Sequence, residues 1–172
     1  MEMKTERLIV RSFRFEDAVD LFDMCCDEET SRDAGWKPHM TLADTNKVIS
    51  GHIFEDDTYA VVLQETGRVI GTVSLYDVSK KDLKAKELGF CLNKKYRGKG
   101  YMLEAASFMV KLAFRAMRVD VVNTCHATYN IKCKNLINKL PFKSLGISKK
   151  HRRLYDRTHV DCELYQIKTE DY

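Results

Sequence analysis

One stretch, Glu87-Leu88-Gly89-Phe90-Cys91-Leu92-Asn93-Lys94-Lys95-Tyr96-Arg97-Gly98-Lys99-Gly100-Tyr101-Met102-Leu103-Glu104-Ala105, constrains the fold more than any other. A strand runs into a basic turn with two glycines, and the turn opens an amphipathic helix that reaches Met117. Such a helix is expected to cross over between parallel neighbours, which calls for a sheet with helices packed on it. The turn also aims unpaired backbone N–H groups and the positive end of a helix at one point. That geometry suits a phosphate or pyrophosphate. The acid Glu87 stands just upstream of the grip.

The rest of the chain supplies the other elements. Leu8-Ile9-Val10 reads as a first strand. Glu16 to Cys26 carries Val19, Phe22 and Cys26 at helical spacing, with Leu21 and Cys25 beside them. Gly35 to His39 reads as a loop. Thr41 with Asp44 resembles a capping start, followed by Leu42, Ile49 and Ile53 near one face. Tyr59–Gln64 and Val69–Tyr76 form a hairpin about Glu65-Thr66-Gly67-Arg68. Lys80 to Lys86 is a charged loop and Glu87 to Leu92 the next strand. In the helix from Gly100 to Met117, Leu103, Ala106, Val110, Ala113 and Met117 make the apolar stripe. Val121–His126 is a strand, Ile131–Leu140 a helix, and Phe142–Ser148 and His159–Lys168 are strands. The expected fold is a single α/β domain over residues 1–172, with about seven mostly antiparallel strands and about four helices.

The 172 residues suffice for one domain, and neither a repeat nor a Pro/Gly/Ser linker divides them. A net charge of +4 permits anionic ligands without calling for nucleic acid. No apolar run approaches a membrane span, and the charged start Met1–Arg7 lacks a signal-peptide core. The six cysteines contain no C-x-x-C pair, so thiols in a reducing, cytoplasmic setting are expected and no metal site is.

Two phosphate-binding motifs fail on their own chemistry. A phosphate-loop NTPase needs Ser or Thr after Gly-Lys to hold magnesium, and Lys99 is followed by Gly100. The dinucleotide fingerprint needs a third glycine, and Tyr101-Met102-Leu103 has none. Arg97-Gly98-Lys99-Gly100-Tyr101-Met102 instead resembles the Q/R-x-x-G-x-G/A loop of the GCN5-related N-acetyltransferases (GNAT). The likeness extends along the chain. Thr5–Arg11, Arg68–Val73, Tyr96–Ala105, Asn130–Cys133 and Leu140-Pro141-Phe142 resemble, in order, segments of the ribosomal-protein-alanine acetyltransferase branch.

The resemblance implies a sheet splayed at the cofactor site and assigns roles. The amides of Gly98, Lys99, Gly100, Tyr101 and Met102 would hold the pyrophosphate of acetyl-CoA, with charge from Arg97 and Lys99. Phe90-Cys91-Leu92 would bond the pantetheine arm as if it were a short strand, and the Leu92 N–H would receive the developing oxyanion. Asn130 would contact the arm, a position that equally suits a helix cap. Glu87 would be the general base, directly or through water. The tyrosine that many relatives use to protonate the leaving thiolate is here Ile137. Cys133, three residues after Asn130, is the alternative acid or a packing residue. Met102 stands in place of a small residue, and Pro141 in place of glycine suggests an altered bulge before Phe142.

The implied acceptor is a primary amine, either a protein N-terminus or a small molecule, served by a monomer or homodimer. A non-catalytic acyl-CoA or RNA-binding module stays open, because Lys149-Lys150-His151-Arg152-Arg153 with Tyr155 could grip RNA. The same run also reads as a solvated hairpin tip. Trp36 and His39 could line an acceptor pocket or merely pack. His126 reads as structural, and Tyr129, Tyr155 and Tyr165 as possible borders of the acceptor groove.

Overall fold

Eight strands form one sheet in the computed structural model, which describes residues 2–172; Met1 lies outside the described residues. In chain order the elements are β1 (Glu2–Lys4), β2 (Leu8–Arg11), α1 (Ala18–Cys25), α2 (Glu28–Ala34), α3 (Leu42–Glu55), β3 (Thr58–Leu63), β4 (Val69–Asp77), β5 (Ala85–Leu92), α4 (Tyr101–Arg115), β6 (Val121–Ala127), α5 (Ile131–Ile137), β7 (Lys143–Arg153) and β8 (His159–Lys168). The strand order is β1-β2-β3-β4-β5-β6-β8-β7. Every pairing is antiparallel except β5–β6, which the crossover helix α4 joins in parallel.

The expected mixed, mostly antiparallel architecture is present, with one more strand and one more helix. The extra strand, β1, is Glu-Met-Lys, too short and too polar to alternate visibly. The extra helix, α2, is Glu-Glu-Thr-Ser-Arg-Asp-Ala and has no apolar stripe. Its ends are nonetheless defined. The Asp27 side chain accepts from the Thr30 N–H at 2.9 Å, and Gly35 closes the helix in a left-handed conformation at φ +88°.

Two hydrophobic layers flank the sheet. On one face α4 buries Met102, Ala105, Ala106, Met109, Val110, Ala113 and Phe114 against strand residues such as Val61, Val73 and Leu88. Its alanines let the helix lie close to the strands. Burying a side chain such as Met109 contributes about 1.5–3 kcal/mol. On the other face α1 and α3 pack Leu21, Met24, Cys25 and Ile49 on Ala60, Val62 and Val69.

The helical faces differ from the expected ones by about one residue. Val19 and Cys26 of the predicted α1 stripe are exposed, and Ala18, Leu21, Met24 and Cys25 face inward. Leu42 and Ile53 of α3 are exposed while Thr45 is buried, and Met117 lies beyond α4 and outside its buried face. Buried charge beneath the N-terminal end is paired. Arg11 and Asp17 form a two-pronged ion pair at 2.7 and 2.8 Å.

The C-terminal hairpin departs further. β7 continues through the basic run to Arg153, so that run is strand and not a hairpin tip. The irregularities in its pairing fall at Ser144/Gly146 and Ser148/Arg152, not directly before Phe142.

Candidate active site

The sheet forks at β5. Its first residues pair with both neighbours, but the ladder to β6 stops at Glu87↔Asn123 while the ladder to β4 runs on to Leu92↔Gly71. The Thr124 hydroxyl donates to the Leu88 carbonyl at 2.9 Å where the backbone ladder ends. Asn93 N–H donates to the Ile70 carbonyl across β4 at 2.9 Å. Antiparallel alternation then turns the backbone groups of Cys91 and Gly89 toward β4, and those of Phe90 and Leu92 toward the gap. The Leu92 carbonyl is met there by Arg97 Nε at 3.2 Å. The N–H groups of Phe90 and Leu92 face the fork with no strand partner there.

β5 ends because buried Asn93 turns away, its amide donating to Asp23 at 2.8 Å and its oxygen accepting from Lys95 N–H at 3.0 Å. The chain then enters α4 through Gly98 and Gly100, both left-handed at φ +79° and +80°. No side chain caps this helix. Its first amides therefore keep unpaired N–H groups at the positive end of the helix. Arg7 braces the turn from outside. Its guanidinium donates to the Lys99 carbonyl at 2.9 Å, pairs with Glu104 at 2.7 Å and lies 4.7 Å over the Tyr101 ring. The brace went unread in the sequence. Its one signal was the position of Arg7 inside the family-like opening Thr5–Arg11.

A cavity of about 470 Å³ passes through the fork. Its wall includes Leu92, Arg97, Gly98, Gly100, Tyr101, Met102, Asn130 and Cys133, and also Asp33, Trp36, Tyr76, Glu87 and Arg152. The cavity thus gathers every predicted site residue except Lys99, whose exposed side chain stands outside beside the turn. Gly89 keeps the passage narrow but open, since a Cβ there would meet the Tyr76 ring at 3.0 Å.

Glu87 is half-buried, and among the described residues its carboxylate has no hydrogen-bond or ion-pair partner. Arg97 is committed within the protein, with Nη1 3.1 Å from Glu29 and Nη2 donating to Thr30 Oγ1 at 2.9 Å. Asn130 caps α5 by accepting from the Cys133 N–H at 3.0 Å, and its side chain also borders the cavity. Burial pushes the thiols of Cys91, Cys125 and Cys133 up to about 12, and the Glu87 charge adds to this at Cys125. All six cysteines are free, and no group of His, Cys, Asp or Glu among the described residues is arranged to hold a metal.

The remaining sequence candidates divide. Trp36 lines the cavity and donates to Ser31 Oγ at 3.0 Å, while His39 bonds Thr45 and lies away from it. His126 is buried, 3.2 Å from the Tyr165 hydroxyl, and touches the cavity wall. Tyr129, Tyr155 and Tyr165 do not line it. Tyr76, Asp33 and Arg152 do, and sequence reasoning missed all three.

The fork, the uncapped α4 and the cavity suit an extended ligand with a phosphate near one end. The profile described as an acetyltransferase (GNAT) domain matches residues 7–143. An uncharacterized N-acetyltransferase, p20, of Bacillus licheniformis is 23% identical over 98% of this chain and 96% of its own. The [ribosomal protein uS5]-alanine N-acetyltransferase of Escherichia coli is 23% identical over all of this chain and 93% of its own. A GNAT-family acetyltransferase structure from Bacillus anthracis superposes with a TM-score of 0.89 at 23% identity, covering 99% of each chain.

Proposed function

The chain belongs to the GNAT acetyltransferase family and is an N-acetyltransferase, and on that premise we propose that it moves an acetyl group from acetyl-CoA to a primary amine with Glu87 as base. The uS5-alanine relative favours a protein α-amine as acceptor, with a small-molecule amine as the alternative. One observation carries the reading: a single cavity joins the uncapped, glycine-bearing start of α4 to an unpartnered carboxylate, through a gap that leaves strand N–H groups free.

Acetyl-CoA, a thioester, supplies the activated acetyl group. Gly98 to Met102 offer backbone N–H groups to its pyrophosphate, at a helix end that favours negative charge. Lys99 adds a positive charge there. Arg97, held by Glu29 and Thr30, shapes the wall. The edge of β5 at Phe90 and Leu92 accepts the arm as a strand accepts a neighbour, and Asn130 borders it.

Of the two N–H groups that face the gap, that of Phe90 lies nearer Glu87 and supports the carbonyl oxygen as it gains charge, while that of Leu92, nearer the α4 turn, serves the arm. Glu87 lies where the fork closes, and there it accepts the proton of the attacking amine through water. This help matters because about a tenth of an α-amine, and under about a thousandth of a lysine, is neutral at pH 7. Cys133 fits the acid's role poorly. A thiol pushed up to about 12 gives its proton to a thiolate near 8.5 only at a cost of roughly 4–5 kcal/mol. We assign Cys133 to the cavity wall and the leaving thiolate's proton to solvent.

Calorimetry with coenzyme A tests the premise: no binding at high micromolar concentration sinks it. Glu87→Gln should lower kcat by about 100-fold or more while leaving coenzyme A affinity within about 2-fold. Unchanged turnover removes Glu87 as base.

A further inference from the structure

We propose that Arg152 recognises a carboxylate on the acceptor, so that the preferred substrate is a primary amine that also carries a carboxylate. The inference rests on the acetyl-transfer reading above and names the class of acceptor.

Arg152 belongs to the basic run that reads as solvent-facing in the sequence. In the fold, it stands at the second pairing irregularity of β7 and lines the same cavity as Glu87. The residue is half-buried there. Its Nη2 donates to the Ala34 carbonyl at 2.7 Å, and this is its only hydrogen bond; it has no ion pair among the described residues. A guanidinium carries five N–H donors, so most of this one is uncommitted.

The other cations on the wall differ. Arg97 and Lys132 both pair with Glu29, and Lys139 is exposed at the α5 side. A partly desolvated guanidinium without an acid is costly, and a bidentate carboxylate is the partner its planar fork fits best.

The opposite sign is also present in this cavity. Glu87 is unpartnered, and Asp33 has only Arg32 at 3.5 Å, on the surface side. Both acids line the same cavity as Arg152. The charges of Arg152 and Glu87 both act on the thiols of Cys125 and Cys162, so the two groups stand near the same part of the wall. An acceptor in this cavity meets acid at the fork, where its nitrogen must go, and a guanidinium without an acid partner beside α2. That pattern complements an amine and a carboxylate on one molecule. Phosphate is a poorer match, because a doubly charged group would sit between two carboxylates with one cation to offset it.

Two sources offer this chemistry: a free amino acid, and a peptide N-terminus followed by an acidic side chain. The test measures kcat/KM on matched pairs that differ only in carboxylate against carboxamide. One arm uses amino acids and their amides. The other uses tetrapeptides with Glu or Gln in the second position. Coenzyme A binding is measured by calorimetry on every variant.

In the wild type, the carboxylate member of at least one arm should be favoured by about 10- to 100-fold, chiefly through KM. Arg152→Gln removes the charge and the fork and should reduce the preference to about 3-fold or less, with thermal melts checking that the fold is kept. Arg152→Lys should retain part of it, because it keeps charge but loses the fork. Equal rates within both arms, or a preference that survives in Arg152→Gln, overturn the proposal while leaving acetyl transfer intact. Binding of coenzyme A without transfer to any member overturns it as well. Failure to bind coenzyme A is the distinct result that removes the underlying reading.

Discussion

Replacing Gly98 by alanine isolates the backbone conformation of the turn before α4. Gly98 has φ +79°, and a Cβ built on it meets nothing within 4 Å, so no clash inside the protein can contribute. What remains is the cost of holding an L-residue in the left-handed region, about 1–2 kcal/mol. Where that cost appears depends on how firmly the turn is held. Gly98 and Lys99 are exposed, and the fixed points are the Arg7 contact to Lys99 and the 3.0 Å bond from Glu104 N–H to Gly100. The free protein can therefore relax the strain locally and keep its stability, but the ligand must then restore the cradle. Coenzyme A affinity should fall about 5- to 30-fold, with little change in Tm. Gly67→Ala is the matched control. Gly67 has φ +69° and equal space, but it closes the β3–β4 hairpin through a 2.8 Å bond to Leu63. There the same cost should appear as lost stability, with coenzyme A binding untouched. Calorimetry and thermal melts on the two variants decide. If Gly98→Ala binds coenzyme A as the wild type does, the turn is not the phosphate cradle.

Two further outcomes follow from buried groups. Arg11→Met leaves Asp17 buried without its partner and should cost about 3–5 kcal/mol in chemical denaturation; a loss under about 1 kcal/mol refutes the view that the pair is desolvated. The thiols of Cys91, Cys125 and Cys133 sit near 12 in the fold against an ordinary 9.0, so their protonated forms are favoured by folding and full stability holds below about pH 9. Stability should then decline as pH climbs from about 9 toward 12, by roughly 1 kcal/mol per thiol at pH 10. Cys125→Ala should lessen that slope, and an unchanged slope counts against burial as its cause.

The parts of the site that lie on one continuous stretch were legible. Glu87 through Met102 carry a strand, a turn and a helix start in sequence order, and failed motifs narrowed the ligand before any fold was known. The helix faces were harder, because Val19, Leu42 and Met117 are apolar residues that the molecule leaves exposed. Periodicity cannot separate two candidate stripes one residue apart when both are apolar. Two things escaped altogether. α2 has no apolar face, and its only signals were Asp27 before it and Gly35 after it. Arg152 sits among four other basic residues, and only the irregular pairing of β7 distinguishes it from them. Both are determined by contacts between segments far apart in the chain.

The polar character of α2 has a consequence for how the fork is held. Toward the β4–β5 arm, Asp27 pairs with Lys94, and Glu29 and Thr30 hold Arg97. Toward the β6–β8 arm, Glu29 pairs with Lys132, the Arg32 carbonyl takes the Tyr129 hydroxyl at 3.4 Å, and the Ala34 carbonyl takes Arg152. A helix of seven residues thus buckles the two arms together through charge and hydrogen bonds, with no apolar stripe of its own. Such bonds at a surface are weakened by dissolved ions, whose screening acts over about 8 Å at physiological ionic strength. Apolar packing beneath α4 is not weakened in this way. The width of the cleft mouth is therefore set by interactions that answer to the ionic medium, while its floor is set by ones that do not.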